Sequence, residues 1–250
     1  MSRFIQQFRE AGVLRRRQGQ LAIVPYQARI LTLNDLEPLC QLHKRILNEL
    51  PAPHLLRPNK PEFFIRHLTD SGYSLGIFVE DEMIGYAVLG LALESVATFG
   101  DDLNLSAAEL ALAAHLDGVG VIPDWRGNHL HWLLLSWRIR LASCAGRRHM
   151  IATTAPDNVV VWNNMLTLGL RVKGLKHKYG GFLRYILHDD LANPSWVDFD
   201  TTISMPTGDI TGQQDLLAQG YWGYALNYCG SAEKCLLYGK PLQDSGNEAA

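Results

Sequence analysis

Residues 118–137, GVGVIPDWRGNHLHWLLLSW, constrain the fold more than any other stretch of the chain. An alternating apolar run reaches Pro123, which has no N–H to give a sheet ladder, so a strand stops there. Apolar side chains then recur at Leu130, Leu133, Leu134, Trp137 and Leu141, a spacing that predicts a helix from about Asn128 to Ala145, closed by Gly146. A strand that feeds so short a turn leaves the first N–H groups of the helix unpaired and aims them at one point. The positive end of the helix dipole lies behind them. Such a point suits a phosphate, and Arg126 and Gly127 add a cation and a conformationally free residue.

The elements around this unit alternate in type. From Ala28, ARILTLNDLEPLCQLHKRILNEL gives a short strand and then a helix starting at Asn34 or Asp35, with Leu36, Leu39, Leu42 and Ile46 on one face. Four prolines at 51, 53, 58 and 61 break that pattern before EFFIRHLTD forms a second helix closed by Gly72. YSLGIFVEDEMIGYAVLGLALE holds two β-rich runs that meet at Glu80–Glu82, which predicts a hairpin. Residues 95–113 read as a mobile insertion before the strand AHLDGVGVIP. Beyond the central helix, HMIATTA predicts a strand and PDNVVVWNNMLTL a helix ended by Gly169. LRVKGLKHKYGGFLRYILHDDL predicts two strands turning at Gly180 and Gly181.

This order is a mixed α/β layer fold and not a run of βαβ units. Residues 1–27 read as a basic amphipathic helix or extension around Arg3, Arg9, Arg15, Arg16 and Arg17. Residues 195–243 read as a small C-terminal α+β appendage with one helix in ITGQQDLLAQG, and 244–250 as a loose tail. No internal repeat is visible in the sequence.

The segment VIPDWRGNHLH resembles the acetyl-CoA loop of the GNAT N-acetyltransferase superfamily, in which a strand ending V-x-P is followed by Arg/Gln-x-x-Gly-x-Gly/Ala. APDNVVVWNNMLTLGLRV resembles that superfamily's next block, with Asn158 early in a helix and Gly169 and Leu170 closing it. With the element order over residues 28–191, the resemblance spans about two thirds of the chain. It implies a GNAT-like fold, a twisted mixed sheet flanked by helices, whose fourth and fifth strands splay to admit the pantetheine arm of acetyl-CoA. Val121 and Ile122 would run beside that arm, Val121 offering its N–H to the thioester carbonyl. The backbone of Arg126, Gly127, Asn128, His129, Leu130 and His131 would wrap the pyrophosphate, and Asn158 would bond the pantetheine chain. The implied reaction is direct attack of an amine on the acetyl carbonyl.

This chain departs from the superfamily pattern at three residues. His129 and His131 stand where Gly and then Gly or Ala are usual, so the imidazoles add hydrogen bonds to the diphosphate, are neutral, or obstruct it. Obstruction would leave a non-catalytic module that binds CoA or a protein. Met165 stands where many members carry a tyrosine thought to protonate the leaving thiolate. For the base, His115 and Asp117 are expected on one strand face with Val119 and Val121. Glu94, Asp101 and Asp102 adjoin them, and an acidic mouth would select a cationic amine acceptor such as a polyamine, an aminoglycoside or a lysine side chain.

Bulk properties narrow the remaining classes. A formal charge of −2 gives no general attraction to nucleic acid. No run approaches the roughly 18 apolar residues of a membrane span, and no secretory signal opens the chain, so a cytoplasmic protein without membrane partners is expected. Cys40, Cys144, Cys229 and Cys235 lack C-x-x-C spacing and suggest reduced thiols and no metal ribbon. GYSLG matches a nucleophile elbow by letter only, because Ser74 follows a helix and leads into a strand. The aromatic run YWGYALNY makes residues 210–240 a candidate homodimer surface or lid.

Overall fold

The structure, a computed structural model, describes residues 7–16, 22–230 and 233–242. The chain divides into two compact units, residues 1–153 and 154–250.

The first unit carries six strands in chain order: β1 (Arg9–Arg16), β2 (Ala22–Ile30), β3 (Gly72–Val79), β4 (Glu82–Gly90), β5 (Ala113–Val121) and β6 (His149–Thr154). Neighbours are antiparallel except β5 and β6, which run parallel. Three helices pack on them: α1 (Leu36–Asn48), α2 (Pro61–Leu68) and α3 (Leu130–Cys144). The period of α1 places Leu39, Leu42 and Ile46 in the core, and that of α3 places Leu134 and Leu141 there. Trp125 and Trp137 are core residues as well.

Two expectations for this unit are corrected. The expected N-terminal helix is the strand β1, paired with β2 over all of Arg9–Arg16. Its alternation buries Leu14 between exposed Val13 and Arg15, and Phe8 just ahead of it packs edge-on to Trp137. Pairing and that contact outweigh a weak helical periodicity over so few residues. The remaining arginines of that expectation, Arg3 and Arg17, lie outside the described residues. Residues 95–113 are not an unstructured insertion, because short helical turns occupy Leu93–Val96, Gly100–Leu103 and Ala107–Ala111, the last capped reciprocally by Ser106 and Glu109.

The second unit holds α4 (Val159–Thr167), α5 (Ile210–Ala218) and an antiparallel sheet in the order β8 (Phe182–Asp190), β7 (Arg171–Lys178), β10 (Trp222–Cys229), β11 (Glu233–Pro241), β9 (Val197–Pro206). The expected appendage is not a separate body, because β10 pairs with β7 at Gly223 and Val172. The unit also contains a structural repeat. α4, β7 and β8 begin at Val159, Arg171 and Phe182; α5, β10 and β11 begin at Ile210, Trp222 and Glu233. Each element of the second set has the length of its counterpart and lies 51 residues after it. The sequence conceals this repeat because equivalent core positions carry different chemistry: Trp162 in α4 answers to Gln213 in α5, and both are fully buried. Tyr185 and Tyr238 both donate to the Gln213 side-chain oxygen.

The expectation of four free thiols also changes. Cys229 and Cys235 form a disulfide across the β10–β11 hairpin, their Cα atoms 6.0 Å apart, while Cys40 and Cys144 are free. Six residues of separation look unremarkable in sequence, but the hairpin register brings the two side chains diagonally together. The expected tail, 244–250, lies outside the described residues. Among those residues no helix is long and apolar enough to cross a membrane.

Candidate active site

The centre of the first unit is a β-bulge. Leu116 pairs with Leu89 and Val119 with Ala87, so two residues of β5, Asp117 and Gly118, stand opposite the single residue Val88. The bulge reverses which side chains face which way. His115 pairs with Gly90 and Gly120 with Tyr86, and these pairs share one face. Val119 and Val121 therefore point to the opposite face from His115 and Asp117, which corrects the expectation that all four line one side.

Arg138 of α3 sits beneath the bulge and is fully buried. Its Nη1 donates to the carbonyls of Val88 (3.1 Å) and Asp117 (2.7 Å), and its Nε to Leu134, while Nη2 has no hydrogen-bond partner among the described residues. A bulge breaks the ladder locally, and the guanidinium takes up carbonyls it exposes. Burial lowers the Arg138 pKa to about 10, against the raising effect of Asp117 and Tyr86.

On the Tyr86 face, polar groups converge from β4, β5, α1 and α2. The His115 Nδ1 lies 3.3 Å from Asp117 Oδ2, and Asp117 Oδ1 accepts the Gly118 N–H at 2.7 Å. Burial opposes the charge on Asp117, but His115, Arg57 and the Gly118 amide outweigh it and hold the carboxyl well below its usual range. His43, on α1, lies 2.6 Å through Nδ1 from the Tyr86 hydroxyl, and its Nε2 accepts the backbone N–H of Asn59. Arg57 Nε donates to Asn59 Oδ1, and Arg57 Nη2 lies 4.0 Å from Asp117. His67 on α2 bonds the Phe63 carbonyl through Nδ1, and its Nε2 is buried with no hydrogen-bond partner among the described residues. Burial lowers its pKa. Phe99, from the segment that carries Asp101 and Asp102, packs on the His115 ring with centroids 5.2 Å apart.

On the edge of β5 away from β4, pairing with β6 runs only from Ala113 to His115, and among the described residues 116–121 have no ladder partner on that side. The Ile122 amide donates to Ile84 across β4, so by alternation the amides of Val119 and Val121 point to the unpaired edge. Ile122 is thereby corrected as a cofactor contact, because its amide is taken by the sheet and its side chain is core. Arg126 Nε donates to the Val121 carbonyl at that same edge.

The turn that follows is open. Trp125 and Arg126 bond back to Ile122 and Pro123, but the amides of Gly127, Asn128, His129 and Leu130 have no acceptor among the described residues. Gly127 (φ 80°) and His129 (φ 57°) both take positive φ, so the superfamily's preference for glycine at the second position is a backbone requirement that His129 meets with strain. The His129 ring is exposed. His131 differs: its Nε2 is buried, and burial, with the Arg138 charge, lowers its pKa to about 3. Of the alternatives for this ring, the neutral form is therefore the one present, half-buried at the helix start. The Asn128 side chain accepts from the Arg15 N–H (2.8 Å) and donates to the Arg15 and Trp125 carbonyls, clipping β1 onto the turn. Its amide alone remains for a ligand.

Asn158 is the N-cap of α4 in the second unit, and its side chain makes no capping bond. Met165 is buried in that helix and has no proton to give. The sequence reading overlooked His43, Asn59, His67, Tyr86 and Arg138. A signal existed for three of them: His43, His67 and Arg138 each occupy a helical position within an apolar stripe, beside Leu39 and Ile46, Phe63 and Phe64, and Leu134 and Leu141 respectively. Among the described residues no cluster of His, Cys, Asp and Glu could hold a metal ion.

No protein-family model matches the sequence, and no curated protein does. Solved structures do match. A GNAT-family acetyltransferase from Streptococcus pneumoniae superposes with a TM-score of 0.51 at 16% identity, covering 66% of this chain and 99% of its own. An N-acetyltransferase from Staphylococcus aureus Mu50 gives 0.51 at 14%, covering 66% and 98%. The protein yncA from Salmonella typhimurium, solved with its cofactor acetyl-CoA, gives 0.50 at 19%, covering 69% and 97%. The fold is that of the GNAT acetyltransferases.

Proposed function

We propose that this chain is an N-acetyltransferase that moves the acetyl group of acetyl-CoA directly to an amine. One observation carries the reading: the unpaired edge of β5 is followed, after the bonded residues 122–126, by a turn where four successive amides have no acceptor among the described residues. Extended backbone donors suit a pantetheine arm, and convergent amides at a helix start suit a diphosphate. The residues present therefore fit the cofactor. The amides of Val119 and Val121 would hold its acyl arm, and those of residues 127–130, beside the exposed Arg126, its phosphates.

Bound acetyl-CoA supplies an acetyl group activated as a thioester. His115 is the base, its ring held through Nδ1 by Asp117, and it takes the proton of the attacking amine. As the nitrogen bonds to the acetyl carbon, the carbon–sulfur bond breaks and CoA leaves as a thiolate. A thiol pKa of about 8.5 makes this a tolerable leaving group without a tyrosine at Met165. Asp117, held ionised, favours a cationic acceptor.

Thermal unfolding with acetyl-CoA tests the binding step. Ligand at about a hundred times its dissociation constant adds roughly 2.7 kcal/mol and moves the midpoint by several degrees. Release of CoA thiol over a panel of amines tests the chemistry, and His115→Gln should lower it at least tenfold with binding retained. Stabilisation without thiol release on any amine would favour a non-catalytic CoA-binding module, a reading to which the buried Met165 lends weight. No stabilisation at millimolar acetyl-CoA would end both.

A further inference from the structure

The protons of the cluster beside Gly118 can be placed one by one. The Asn59 backbone N–H can only donate, so its 3.0 Å contact makes His43 Nε2 an acceptor. A neutral imidazole has a single acceptor nitrogen, so Nδ1 carries the proton and gives it to the Tyr86 oxygen. Burial lowers the His43 pKa to about 4, which keeps this tautomer at neutral pH. Tyr86 therefore accepts from His43, and its own hydroxyl proton has no acceptor among the described residues although the side chain is fully buried.

That oxygen flanks Gly118, where a methyl group would lie 3.9 Å from the Tyr86 oxygen and 3.4 Å from Asn59 Nδ2, ordinary contacts, with no other atom within 4 Å outside the adjoining residues 117 and 119. Arg57 donates to Asn59 Oδ1, so the amide is turned with its NH2 toward Gly118, and that group also has no acceptor among the described residues. Two donors, the buried Tyr86 hydroxyl and the half-buried Asn59 NH2, thus meet over a residue with no side chain, next to the Asp117 carboxylate.

We propose that Tyr86 and Asn59 select an acceptor whose amine adjoins a carbonyl group, an α-aminoacyl compound. Two donors match the two lone pairs of one carbonyl oxygen, and Asp117 receives the neighbouring ammonium before His115 deprotonates it. The inference rests on the transferase reading and narrows its acceptor class; simple polyamines would leave both donors unmet. A site built to bond a polar group rejects the analogue that lacks it, because its own buried groups are then left unpaired.

The test uses the full chain with L-alaninamide and sec-butylamine, which share the amine-bearing carbon and its methyl group while only the first carries a carbonyl. Rates are compared per concentration of free amine, because the two amines differ in basicity. The expected result is a kcat/KM at least about 100-fold higher for alaninamide. In Tyr86→Phe the alaninamide value should fall about 10- to 100-fold while the sec-butylamine value stays within threefold. Equal use of the two amines by the native protein, or an equal loss on both in the variant, overturns the proposal. A nitrogen-15 spectrum of the histidines adds a readout that needs neither activity nor a variant that folds. His43 as the Nδ1–H tautomer supports the proton placement, and the Nε2–H tautomer overturns it. If acetyl-CoA fails to stabilise the protein, the transferase reading falls separately. Saturation-transfer NMR then decides: alaninamide binding that sec-butylamine does not share upholds the site, and its absence overturns it.

Discussion

Helices α3 and α5 begin in opposite ways. At α5 the N-cap is Asp209, whose carboxylate accepts the Gly212 N–H, so the helix start is closed by a negative charge of its own. At α3 the N-cap is His129 in a left-handed conformation with no side-chain cap, and the amides of residues 127–129 ahead of the helix have no acceptor among the described residues. Self-capping is the ordinary economy of a structural helix; leaving donors bare costs stability unless an outside anion takes them. The pair distinguishes a helix end that finishes a fold from one that waits for a ligand.

Four experiments break or sharpen that contrast. Acid should act most strongly on α3. The His131 pKa is lowered from 6.5 to about 3, so over that range the unfolded chain binds the proton that the folded one refuses. Stability is then complete above about pH 6.5 and declines as pH falls toward 3, by up to about 1.4 kcal/mol per unit. His43 adds the same sign between 6.5 and about 4. Urea midpoints at pH 7, 5 and 4 should show this slope, and His131→Asn should flatten it. His129→Asp gives α3 the closed charge of α5: acetyl-CoA affinity by calorimetry should drop about a hundredfold, with little change in the unliganded midpoint because Asp tolerates positive φ. Asp209→Ala opens α5 and should cost about 1 kcal/mol, a midpoint lower by some 2–4 °C, with acetyl-CoA affinity untouched. The mildest change is His129→Gly, which relieves the left-handed strain. It should raise stability by roughly 0.5–1 kcal/mol and tighten acetyl-CoA a few-fold, and weaker binding would instead show that the imidazole helps hold the ligand.

The frame of the first unit was legible because each element advertises itself locally. The α1 stripe at Leu39, Leu42 and Ile46, the hairpin turn at residues 80–82 and the stop at Pro123 are properties of a few adjacent residues. The loop was legible for the same reason. What was missed depends on partners far apart in the chain. A bulge at Asp117 and Gly118 exists only relative to β4, and without it the period of two sends Val119 and Val121 to the wrong face. β1 is a strand because β2 and Trp137 lie beside it, not because of its own spacing. Tyr86 reads as one more aromatic in an apolar strand until His43 and Asn59 assign its proton. The repeat was hidden since element length and spacing are kept while side-chain size and chemistry both drift, as Trp162 and Gln213 illustrate.

The clip between Asn128 and Arg15 ties two fates together. One side chain mimics a peptide group and extends the edge of β1 into the turn, so fraying of the N-terminal strand and loosening of the turn become a single event. Whatever grips the turn must then slow deuterium uptake along residues 9–16, and a chain shortened past Arg15 must bind its ligand with a slacker hand.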